Sequence, residues 1–121
     1  MSGAGAQAAA FYREVAQTQA LWTLRDAQGF PAPRSSDGAR AMPFWSSQAR
    51  VRRIIAGVAA YRSFTPVEIP WAEFCSRWVP GLTRDGLHVG LNWAGPKATG
   101  FDVEPDAVVR NVQAIRSQNA G

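Results

Sequence analysis

Residues 87–93 read Leu-His-Val-Gly-Leu-Asn-Trp, with an apolar side chain at every second position. Successive side chains of a β-strand point to opposite faces, so this spacing predicts a half-buried strand. Leu87, Val89, Leu91 and Trp93 are expected to face the core, with His88, Gly90 and Asn92 on the other side. Such a strand requires neighbours to pair its backbone and a layer to cover its apolar face. The remaining segments must supply both.

Upstream, Ala8, Phe11, Tyr12 and Val15 fall three, four and seven apart, the apolar stripe of a helix over about 6–18. Trp22 and Leu24 alternate with Thr23 and Arg25, which predicts a strand over 20–26. Gly29, Pro31, Pro33 and Gly38 make 27–38 turn and loop. A short strand is expected over 39–44, with Pro43 marking its end or a sheet edge. Ser46 or Ser47 then caps a second helix, whose buried stripe is Val51, Ile54, Ile55 and Val58. Residues 64–69 favour β structure but are interrupted by Pro66, which predicts an edge strand.

Pro70 suits the first turn of a third helix, with Trp71, Phe74, Cys75 and Trp78 on one face. Pro80 and Gly81 are expected to stop it. After the 87–93 strand, Gly95, Pro96 and Gly100 mark a turn, and 101–103 returns as a short strand. Pro105 and Asp106 open a last helix with Val108, Val112 and Ile115 as its stripe. The order α-β-β-α-β-α-β-β-α predicts an α+β fold. Its centre is a small, mostly antiparallel sheet of four to five strands, with about four helices packed on it.

Composition acts mainly by exclusion. The chain has 121 residues, 46% of them hydrophobic and 18% charged, enough apolar material for one core and too much for extended disorder. Residues 8–121 are expected to form a single domain. Residues 1–7 are expected to be a flexible leader, because Gly3 and Gly5 stand among alanines, and without a basic start or leucine-rich stretch the segment does not read as a signal peptide. No apolar run reaches the ~18 residues of a membrane span. One cysteine excludes an internal disulfide framework and a cysteine-built zinc site. These points imply a soluble, cytoplasmic domain that is a monomer or small homo-oligomer. The net charge is +4, with twelve arginines and Lys97 as the only lysine. That balance permits an acidic partner without demanding one.

Several local patterns occur together: Trp45-Ser46 before a helix, Ile69-Pro70 opening another, and Phe74 followed by Trp78 to Leu82. Asp85-Gly86, Asn92-Trp93 and Val103 to Pro105 complete the set. Over about residues 11–116 the chain resembles a small bacterial family described as domain of unknown function 2750. One segment departs from that family's pattern: Gln48-Ala-Arg-Val-Arg-Arg replaces a helix rich in acids and small residues. The resemblance implies no established activity. A weaker, fold-level likeness links the chain to small α+β immunity proteins that bind and block a toxin.

The residues themselves point away from familiar catalytic arrangements. Cys75 belongs to an apolar stripe, where burial raises a thiol's pKa and leaves it inert. His88 lies on the outward side of its strand and reads as a surface histidine. Asp102, Glu104 and Asp106 alternate, but no calcium-loop glycines accompany them, so no metal or cofactor is expected. Residues 95–100 lack the ending of a phosphate-binding loop and read as a hairpin turn. Arg50, Arg52 and Arg53 could form a basic patch, but without stacking aromatics they read as a solvated helix face, which makes nucleic acid an unlikely partner.

Two classes of function stay open. The first is a non-catalytic binding module for a protein or peptide partner. The second is an enzyme built from Arg, Asp, Ser and Trp in a way the sequence does not announce, with weak nucleic-acid binding as a minor third. If there is a binding site, Trp45, Ser46, Asn92 and Trp93 are expected to border one surface cleft, because tryptophan beside a helix start offers apolar area next to free N–H groups.

Overall fold

The computed structural model describes residues 3–34 and 38–120. The elements are α1 (Ala4–Thr18), β1 (Ala20–Arg25), β2 (Ala41–Phe44), α2 (Gln48–Gly57) and β3 (Thr65–Pro70). They are followed by α3 (Trp71–Glu73), α4 (Val79–Arg84), β4 (His88–Ala94), β5 (Thr99–Val103) and α5 (Pro105–Ala120). The fold is α+β, in the predicted order. Helix α1 begins within the stretch expected to be a leader, of which residues 1 and 2 lie outside the described residues. The loop expected over 27–38 also falls partly outside them, at residues 35–37.

The five strands divide into two sheets instead of one. β1 pairs antiparallel with β3, and β4 lies between β2 and β5. β4–β5 is antiparallel, whereas β2–β4 is parallel, with Ala41 opposite His88 and Phe44 opposite Leu91. Pro43 explains the division. Trp45 exchanges two backbone hydrogen bonds of 2.7 Å with Trp22, and two residues earlier Pro43 turns the same edge towards β1. Having no N–H, Pro43 cannot extend that ladder. Its carbonyl accepts instead from the buried Thr23 hydroxyl at 2.9 Å. The predicted edge strand at Pro66 is observed: β3 pairs with β1 alone.

The third helix does not stop at Pro80. A π-helical turn at Phe74–Trp78 joins α3 to α4, and the helix runs on to Arg84. Val79 N–H bonds to the Phe74 carbonyl five residues back, which widens the turn just where a proline ring would otherwise meet the preceding coil. The actual stop is Gly86, at φ 70°. There Gly86 N–H bonds to Thr83 and Leu87 N–H to Leu82, the paired bonds of a left-handed helix end.

Two apolar clusters flank β4. One gathers Phe11, Val15, Phe44, Phe74, Leu91 and Val108 under α1, α3 and α5. The other gathers Leu24, Trp45, Val51, Ile54, Tyr61 and Trp93 beside α2. Leu91 and Trp93 therefore belong to different clusters, although strict alternation puts them on one face.

Candidate functional site

The departure from alternation builds the site. The register of β4 against β5 shifts between Leu91 and Ala94, and Asn92 sits at φ 48°, a left-handed conformation that asparagine tolerates better than most residues. The bulge swings Trp93 onto the side of Gly90, where its indole lies over that glycine and over Gly100. It also turns Asn92 inward to a fully buried position, so the expectation that Asn92 points away from the core is corrected.

The buried carboxamide ties three elements together. Asn92 Oδ1 accepts the Ser46 backbone N–H at 2.9 Å. Its Nδ2 donates to Ser46 Oγ at 2.9 Å and to the Gln7 carbonyl at 3.2 Å. Ser46 Oγ in turn donates to Glu14 Oε1 at 2.6 Å. Between the two serines offered by the sequence, Ser47 is the helix cap, accepting from Arg50 N–H, and Ser46 is free for this network.

Glu14 also receives Arg50 in a two-pronged pair, Nε at 3.0 Å and Nη2 at 2.8 Å, while Arg50 Nη1 reaches Gln7 Oε1 at 2.9 Å. Arg50 is thus not a solvated member of a basic face. Its guanidinium is committed to α1, which leaves Arg52 and Arg53 as the exposed arginines of that turn. The Arg50 hydrogen bonds hold the Glu14 carboxyl below its ordinary pKa against the opposing effect of burial, with help from the Ser46 hydroxyl. The same bonds raise the pKa of Arg50. No buried side-chain polar atom among the described residues lacks a hydrogen-bond partner.

Beside this network lies a cleft of about 330 Å³. Trp45, Asn92 and Trp93 line it together with Arg50, Arg53, Ile54 and Pro96. Ser46 stands behind it, bonded to Asn92. Exposures of 1% for Trp45, 2% for Ser46, 1% for Asn92 and 6% for Trp93 make these residues the cleft's walls rather than projecting contacts. Trp45 Nε1 donates to the Trp93 carbonyl at 2.8 Å, and Trp93 Nε1 to Asp102 at 3.0 Å, so both indoles are locked. Arg53 has no ion pair or hydrogen bond among the described residues and supplies the cleft's uncommitted charge.

Gln7 and Glu14 were not singled out from the sequence. Their only local signal is a spacing of two helical turns beside the Ala8–Phe11–Val15 stripe, which gives no hint of a partner on α2. Elsewhere, Cys75 is half-buried against the first cluster, and burial pushes its thiol pKa up, opposed by the charge of Arg116. His88 is half-buried at the start of β4. Among the described residues no three His, Cys, Asp or Glu side chains come close enough to hold a metal, and no helix is long and apolar enough to cross a membrane.

No curated protein matches the chain. A family profile described as "protein of unknown function" (DUF2750) matches residues 8–112 of the 121, carrying every element from α1 into α5. The chain belongs to this DUF2750 family.

Proposed function

We propose that the protein is a non-catalytic binding module whose Trp45–Trp93 cleft docks an acidic segment of a protein partner. The observation that carries this reading is Arg53, an unpaired guanidinium on a cleft whose other polar lining, Gln7, Arg50 and Asn92, is already hydrogen-bonded and whose apolar walls are indole, isoleucine, valine and proline. A carboxylate flanked by an apolar side chain complements that lining, since arginine binds carboxylates through two parallel N–H groups. Locked tryptophans lose little conformational freedom on binding, which suits an interface centre.

The chemistry of the network argues against the enzyme alternative. The serine nearest a carboxylate is Ser46, but that carboxylate, Glu14, is held at low pKa by Arg50. A base that weak takes a proton poorly near neutral pH. Ser46 itself is sealed from solvent. For nucleic acid, the commitment of Arg50 to Glu14 leaves too small a patch for more than non-specific, salt-sensitive contact.

Binding to an array of short peptides in matched acidic and basic versions tests the proposal. Acidic peptides carrying one aliphatic or aromatic neighbour should be preferred by at least about tenfold, and Arg53→Glu should reverse the preference. Equal binding of both sets, or no effect of Arg53→Glu, would overturn it.

A further inference from the structure

The Arg53 cleft does not end at Gly95. A neighbouring cavity of about 540 Å³ lies between the first turn of α1 and the β4–β5 hairpin, and Gln7, Ala94 and Gly95 line both. Cavities that share these residues are two lobes of one groove. The saddle between them is low, because Ala94 and Gly95 are exposed and bring at most a methyl group to it. Gln7 is tethered beside the saddle, its side chain bonded to Arg50 at 2.9 Å and its carbonyl to Asn92 at 3.2 Å.

The lobes differ in chemistry. The first holds the unpaired guanidinium of Arg53 among apolar walls. The second has no ionisable side chain in its lining, and its largest side chain is Phe101. That ring is 51% exposed, the one large apolar side chain left so open among the described residues. It rests against Gly5 of α1, where an added β-carbon would lie 3.8 Å from the ring. Single exposed apolar side chains are common on protein surfaces. This one lines a concavity that runs into a charged cleft, which is the setting of an interface anchor.

We infer that the partner segment taken by the Arg53 cleft is extended and bipartite. Beyond the carboxylate that pairs with Arg53, it passes over Ala94 and Gly95 and lays a second, apolar side chain on Phe101. The inference rests on the reading of the cleft as a dock for an acidic segment, and adds the second anchor and its chemistry. Charge fixes which anchor goes where. An acid gains at Arg53 and, with no cation in the second lobe, gains nothing beside Phe101. A leucine, methionine or phenylalanine there takes apolar surface of both partners out of water.

Fluorescence anisotropy of labelled peptides on the full chain tests the inference. A short peptide carries Leu-Glu alone. A long one adds a far leucine beyond a Gly-Ser spacer of about two to eight residues, each adding roughly 3.3 Å, in both chain directions. At the best spacing the long peptide should bind at least about tenfold tighter than the short one. Phe101→Ser, at an exposed position, should remove that gain and leave the short peptide unchanged, which also reports an intact fold. Phe101→Leu should keep the gain, a glutamate in place of the far leucine should lose it, and Arg53→Glu should weaken both peptides. No gain at any spacing, a gain that survives Phe101→Ser, or equal weakening of both peptides by Phe101→Ser would overturn the second anchor. In those cases Arg53-dependent binding of the short peptide leaves the cleft reading standing. Failure of every acidic peptide to bind would overturn both.

Discussion

A β-carbon on Gly90 would stand 2.3 Å from the Trp93 indole, closer than any two such atoms can approach. The ring of Trp93 therefore occupies the space that every residue other than glycine needs at position 90. Gly100 presses on the same ring from β5, where a β-carbon would come within 2.8 Å.

Gly90→Ala should consequently displace an entire indole, because three atoms of the ring system block the new methyl. Overpacking of this kind costs about 1 to 3 kcal/mol, and the closeness here puts the variant at the upper end. Urea denaturation gives the loss, and near-UV circular dichroism should show Trp93 released. Full native stability in Gly90→Ala would mean that Trp93 packs elsewhere.

Removing the Asn92 side chain should be costlier than its small size suggests. Asn92→Ala strands the buried Ser46 N–H, removes the second bond to the Gln7 carbonyl, and puts alanine in a left-handed conformation. The expected loss is about 2 to 4 kcal/mol. Asn92→Gly restores the backbone freedom but not the bonds, so its stability should fall between the two.

The Glu14–Arg50 pair makes stability depend on acid. The carboxyl pKa is lowered in the folded state, so its contribution is complete above the ordinary glutamate pKa of the unfolded chain. It is lost as pH falls below that value and through the depressed folded one. Glu14→Gln should cost about 1 to 2 kcal/mol at pH 7, discounted because both side chains are partly exposed, and should flatten the acid limb of the stability profile. A wild-type profile that matches Glu14→Gln from pH 7 to pH 3 would contradict the assignment.

Cys75 should react slowly with thiol reagents near neutral pH, since partial burial raises its pKa and shields its sulfur. Cys75→Ser should lose only about 1 kcal/mol, less than for a sealed position, because the side chain is half-exposed. Labelling at the rate of an unfolded control would contradict this.

Where side-chain periodicity is local, it could be read directly. The stripes of α1 and α2, the alternation of β4 as far as Leu91, and the edge character of β3 all follow from neighbours in sequence. Trp45 and Trp93 stood out as aromatics at element ends, and the structure buries both in the wall of the cleft. What escaped depends on contacts across the chain. The bulge at Asn92 resets the pleat through bonds to Ser46 and Gln7, and nothing in the heptapeptide forces it. The pair between Glu14 and Arg50 joins two helices, so Arg50 read alone looks like a surface charge. Pro80 passes through its helix because a π-turn precedes it, a device with no simple residue signature.

The missing N–H of Pro43 also bears on how the chain is made. β2 pairs in parallel with β4, so during synthesis it must wait until α2, β3 and the long helix have emerged. A waiting strand with a full set of donors is a template for pairing with other chains. Pro43 leaves a gap in the row that faces β1, and Thr23, already synthesised, can occupy its carbonyl, so only the β4-facing edge stays open. The residue that keeps the finished sheets apart therefore also removes one of the two edges by which β2 could seed aggregation on the ribosome. Pro43→Val would be expected to lower the soluble yield of newly made chain more than it changes the stability of the folded protein.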